Sequence, residues 1–148
     1  METKVYTTID RTGWPSGVWD DEPDKMQWPD TATELPCLAV RHPTNGHWCG
    51  YAGVTEGHPL FGKDYDTLTI RVYGGLTYSA LCDSNGLICH IPAPGEPDHV
   101  WWFGFDCAHS GDISPAYAGR IWPGNVYRTL AFVQAECTRL AAQLHQGE

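Results

Sequence analysis

A chain of 148 residues is most simply one domain, long enough to bury a core and too short for two comfortable ones. With 42% hydrophobic, 12% aromatic and 18% charged residues it lies far from the disordered class. A formal net charge of −9 argues against a protein that grips duplex nucleic acid or an anionic membrane through its general field.

The start, Met1-Glu2-Thr3-Lys4-Val5-Tyr6, lacks the apolar core of a secretory signal, and no run approaches membrane-spanning length, so a cytoplasmic protein is expected. In that setting the six cysteines (Cys37, Cys49, Cys82, Cys89, Cys107, Cys137) stay reduced, most of them as small core residues; in an exported protein the even count would allow disulfides.

Residues 1–33, with Trp14-Pro15, Trp19, Glu22-Pro23 and Trp28-Pro29, carry neither helical nor strand periodicity and read as an irregular arm. Its three tryptophans are too costly to leave in water together, so the arm is expected to lie across the domain or a partner subunit.

Residues 34–124 read as sheet and loops. Strands are expected at 37–42 and 47–54, around the hairpin-turn signal Asn45-Gly46. A long loop over 56–66 has aromatics that favour an ordered, functional loop. Residues 68–73 alternate as a strand should, Gly74-Gly75 marks a bulge or a close approach of backbone or ligand, and 88–91 is another short strand.

The most apolar run, residues 100–106, is expected to be a central strand with Trp101, Phe103 and Phe105 on one face and Val100, Trp102, Gly104 and Asp106 on the other. Asp106, Cys107, His109 and Asp112 then fall on a loop that Ser110 and Gly111 free to turn.

Residues 125–146 form the C-terminal helix, with Asn125 as N-cap, Gly147 as the stop, and an apolar stripe of Val126, Leu130, Val133, Cys137, Leu140, Ala141 and Leu144. The expected class is α+β: a mainly antiparallel central sheet, long loops and one amphipathic C-terminal helix.

Four segments, Gly50-Tyr51-Ala52-Gly53-Val54, Gly57-His58-Pro59-Leu60-Phe61-Gly62-Lys63-Asp64-Tyr65, Gly74-Gly75-Leu76-Thr77-Tyr78 and the Trp101 to Asp112 stretch, resemble a family of small uncharacterised proteins from bacteriophages and bacteria, especially actinobacteria. The resemblance covers most of the chain and implies a phage or prophage setting, with no activity attached. Where that family often has a histidine before the glycine pair, this chain has Tyr73.

Asp106, His109 and Asp112 are the sharpest chemical cluster, with His58, Cys107 and Cys89-His90 as additions. Carboxylate and imidazole at short spacing suit a divalent metal, zinc or similar, that would turn a bound water into a hydroxide nucleophile. Without metal, His109 becomes a general base oriented by Asp106 or Asp112, with Cys107 or Ser110 as nucleophile. The bland account has Asp106 and Asp112 fixing turns and His109 packed on the tryptophans.

A binding role draws on Trp48, Tyr51, Tyr73, Tyr78, Trp101 and Trp102 as flat faces, on Gly74 and Gly75 for backbone donors, and on Arg41, Lys63, Arg71, Arg120 or Arg128 for a phosphate. The expected function is action on an anionic, nucleotide-like small molecule: hydrolysis at Asp106, His109 and Asp112, with His58 and Lys63 on the anion and Tyr73 or Trp102 stacked on the base. The first alternative is sequestration of a host signalling nucleotide as a counter-defence. The second is a protein-interaction module, or a homo-oligomer, built on the aromatic arm.

Overall fold

The computed structural model describes residues 1–82, 87–120 and 123–147, with the side chain of Arg120 outside that set. Six strands form one antiparallel sheet: β1 (Lys4–Tyr6), β2 (Lys25–Pro29), β3 (Pro36–Arg41), β4 (Trp48–Thr55), β5 (Tyr78–Leu81) and β6 (Val100–Asp106). Their order across the sheet is β1-β2-β3-β4-β6-β5. One helix, α1 (Leu130–Gln146), packs over β3 and β4, completing the expected α+β fold.

The central pair is β4 with β6, in a register that sets Cys49 opposite Asp106, Tyr51 opposite Gly104 and Val54 opposite Trp101. Residues directly opposite share a face. Trp48, Ala52, Val54, Phe103 and Phe105 therefore point toward α1, where they meet Val133, Cys137, Leu140, Ala141 and Leu144 in the main core. The other face carries a smaller cluster of Leu38, Val40, Tyr51, Val100 and Trp102, packed by Met1, Tyr78, Cys82 and Ile88.

Several expected boundaries shift, each for a local reason. The arm is not irregular throughout, since it supplies β1, β2 and a 3-10 turn at Val18–Asp21. Residues 68–73 keep their alternation, with Leu68, Ile70 and Val72 in or against the core, but pair with no strand. Their backbone bonds instead to helix side chains: Arg71 N–H to Gln143 Oε1 at 2.8 Å and Tyr73 N–H to Glu136 Oε1 at 2.7 Å.

Residues 88–91 form no strand either. Ile91 exchanges both backbone groups with the buried Gln27 amide, at 2.8 and 3.0 Å, so one side chain replaces a ladder. The helix starts later than Asn125: Thr129 caps it by accepting from Phe132 N–H, while Val126 bridges to Asp112. Cys82 and Cys89, expected reduced, are joined as a disulfide, with their Cα atoms 4.8 Å apart.

Candidate functional site

Because Asp106 ends β6 on the face away from α1, it opens onto a cleft that the smaller cluster leaves uncovered. The cleft encloses about 430 Å³ and is lined by His42, His47, Cys49, Tyr51, Thr77, Tyr78, Phe105, Asp106 and Ala108. That volume falls in the range of small-molecule sites, roughly 300–1,000 Å³. Tyr51 forms its floor, lying across Gly104, where a Cβ would come within 2.3 Å of the ring, and meeting Tyr78 edge-on at 5.5 Å. His42 and His47, from the β3–β4 connection, stack at 5.0 Å.

Asp106 is held lightly. Its Oδ1 accepts Ala108 N–H at 3.0 Å and its Oδ2 the Thr77 hydroxyl at 3.3 Å. A carboxylate has about four lone-pair positions, so acceptor capacity is left toward the cleft. His109 Nε2 lies 3.6 Å from Asp106 Oδ1. The same nitrogen is buried against Gly74, where a Cβ would fall 2.0 Å away, and it has no hydrogen-bond partner among the described residues.

Asp112 is held tightly. Its Oδ1 accepts from Tyr73 Oη at 2.6 Å and Arg128 Nε at 3.0 Å, and its Oδ2 from His109 N–H at 3.0 Å. Its side chain is 1% exposed. The Tyr73 hydroxyl is pushed to a higher pKa by desolvation and then by its bond to Asp112. Asp112 is thus the post that fixes the loop, with Tyr73 set edge-on to His109 at 5.3 Å.

Of the expected site residues, Asp106, His109, Asp112, Tyr73 and Gly74 come together, with Gly75 closing the adjacent turn through Val72. His58 and Lys63 do not join them. They follow β4 at the Trp101 end of β6, where the Lys63 carbonyl accepts Trp101 Nε1–H at 2.9 Å, about 17 Å along the strand from Asp106.

Trp102 offers no stacking face: it is fully buried, with its indole N–H on Cys82 Sγ at 3.2 Å. Arg41 is no phosphate ligand, being buried over Trp48 and paired with Glu22. Arg120's side chain lies outside the described residues. At the expected metal triad both Asp112 oxygens are already committed to Tyr73, Arg128 and His109, which leaves Asp106 and His109 as the donors with spare capacity.

Among the described residues, Cys82, Cys89 and His90 form a group whose ligand atoms all lie within 4.8 Å of one another, a spacing that could hold a metal ion. The group stands on the cleft side of the sheet but beside Trp102, away from Asp106.

The cleft residues missed from the sequence are His42, His47, Cys49 and Thr77. His47 is 6% exposed, and its pKa is lowered by desolvation and by His42, against opposing pulls from Asp106 and Asp112. The Cys49 thiol is pushed up to about 12 by burial and then by Asp106, and Cys107 is likewise raised by burial. Both are protonated near neutrality, so neither is a ready nucleophile.

Compared with known proteins, the chain matches no family model, no curated protein and no solved structure. Among the described residues, no helix is long and apolar enough to cross a membrane.

Proposed function

We propose that this protein binds a nucleotide-like small molecule by its ring, without turnover. The observation that carries the reading is the Asp106 carboxylate, placed on the wall of an open cleft with acceptor capacity unspent, opposite Tyr78 and beside two imidazoles. A planar ring against Tyr78 would present its N–H edge to Asp106, a charge-assisted pairing contributing about 1.5–3 kcal/mol. Among the described residues no lysine or arginine lines the cleft, so a phosphate would stay at its mouth. In the phage setting that the resemblance suggests, such a protein would sequester a host signalling nucleotide in the cytoplasm.

Hydrolysis is the second reading, favoured by the approach of His109 Nε2 to Asp106. A water held by Asp106 in the cleft, with His109 beside that carboxylate, would be polarised for attack on a phosphoester. Titration of the protein with nucleosides and nucleotides, followed by product analysis, separates the readings. Sequestration predicts saturation at one ligand per site and intact release on denaturation; hydrolysis predicts conversion of excess ligand, lost in His109→Gln. A panel that neither binds nor reacts would contradict both.

A further inference from the structure

We infer that Cys82, Cys89 and His90 form a redox-gated site for a thiophilic metal ion of the zinc type, closed while the two cysteines are a disulfide and opened by their reduction. The inference is independent of the ligand proposed for the Asp106 cleft.

The geometry is close to what such an ion requires. Zinc bonds sulfur at about 2.3 Å and imidazole nitrogen at about 2.0 Å, so tetrahedral ligands stand about 3.5 Å apart for S and N and about 3.8 Å apart for two sulfurs. Cys82 Sγ and His90 Nδ1 are already 3.8 Å apart, and all three donor atoms lie within 4.8 Å of one another. The one large change needed is release of the S–S bond.

Two of the three donors are held by groups that reduction does not touch. Cys82 continues the β5–β6 ladder through its N–H to the Val100 carbonyl at 3.0 Å, and its sulfur receives the Trp102 indole N–H at 3.2 Å. A donor hydrogen bond to the sulfur suits a thiolate on a metal, since it spreads the negative charge. His90 is buried, edge-on to Trp102 at 5.5 Å, and the residue after it is pinned to Gln27. Asp98 and His99 line the adjoining cavity of about 400 Å³ and are candidates for the fourth position.

The chemistry balances with a dithiol reductant. Two electrons and two protons pass to the Cys82–Cys89 bond, giving two thiols while the reductant closes its own disulfide. Binding of the divalent ion then displaces both thiol protons. A reducing cytosol would hold the site open and an oxidising compartment would hold it closed.

The test is cobalt(II) titration of the intact protein, oxidised and reduced, read by the thiolate-to-cobalt charge-transfer band, with zinc as competitor. The inference predicts one equivalent bound to the reduced protein, displaced by zinc, and none to the oxidised protein. His90→Gln should weaken binding at least tenfold. Because cysteine variants can misfold, alkylation of the reduced wild-type protein gives a second readout: zinc should protect Cys82 and Cys89 and leave the labelling of Cys49 unchanged. Equal cobalt binding in both redox states, absence of the charge-transfer band after reduction, or no protection by zinc would each overturn it.

Discussion

Glu22 Oε2 accepts the backbone N–H of Leu130 at 2.7 Å, so a side chain from the N-terminal region caps a helix 108 residues further on. The other oxygen of the same carboxylate takes Arg41 Nη2 at 3.0 Å and the Tyr127 hydroxyl, while Arg41 itself is fully buried against Trp48. Removing Glu22 leaves the buried guanidinium with Asp24, 3.6 Å from its Nε, as the remaining counter-charge, so the loss is that of the charge-assisted hydrogen bonds, about 1.5–3 kcal/mol. Glu22→Ala should lose about that much stability in urea unfolding followed by circular dichroism. Glu22→Gln, which keeps the shape and some hydrogen bonding, should lose less, and the exposed Glu2→Ala should change stability by no more than about 0.5 kcal/mol.

Gly104 makes room for the floor of the cleft. A methyl group there would fall 2.3–2.4 Å from two carbons of the Tyr51 ring, so the ring must turn or the strands must part. Gly104→Ala should cost about 1–3 kcal/mol, in the range of overpacked cores, and should weaken ligand binding beyond what the fall in melting temperature explains. Unchanged affinity would mean that the Tyr51 ring does not shape the cleft.

Stability should fall as the pH drops through the ordinary histidine range, near 6.5, because of two buried histidines. The folded-state pKa values of His47 and His90 both lie below the ordinary 6.5, with desolvation as the first cause in each. As pH falls through 6.5 the unfolded chain takes up protons first, so unfolding becomes easier until the folded histidines also protonate. Above the ordinary value this contribution is complete and flat. His47→Gln should flatten part of the slope in unfolding free energies measured across this window; an undiminished slope would assign it elsewhere.

Cys49 should resist alkylation. Its thiol, pushed up to about 12, is almost wholly protonated at pH 8, and the thiolate is the reacting form. Iodoacetamide followed by peptide mass spectrometry should label native Cys49 far more slowly than the denatured chain does, and Cys49→Ser should retain ligand binding.

The parts of the fold that depend on local periodicity were legible. The hairpin around Asn45-Gly46, the two-faced run of β6 and the stripe from Val133 to Leu144 all follow from alternation or helical spacing. What was not legible depends on partners distant in sequence. Gln27 is polar in a segment without apolar rhythm, and only its bonds to Glu2 and Ile91 explain its burial on a strand.

Residues 68–73 have a strand's alternation, yet their backbone partners are Glu136 and Gln143, which the sequence does not point to. The candidate site divides the same way. Asp106, His109 and Asp112 fall on one short loop and group in the sequence, whereas Tyr73 reaches them through its bond to Asp112, and His42, His47 and Cys49 through the β3–β4 hairpin and the β4–β6 register. His58 and Lys63 were misplaced because nothing local to the loop fixes which end of β6 it meets.

The most direct measurement of the central claim is native mass spectrometry of the protein purified from cells, wild type beside Asp106→Ala, with the small molecules released on denaturation identified. The cleft account predicts one intact nucleotide-like molecule per wild-type chain, and its loss or a tenfold or greater fall in occupancy in Asp106→Ala at unchanged fold, in line with losing about 1.5–3 kcal/mol of charge-assisted hydrogen bonding. Equal occupancy in the two proteins would contradict it.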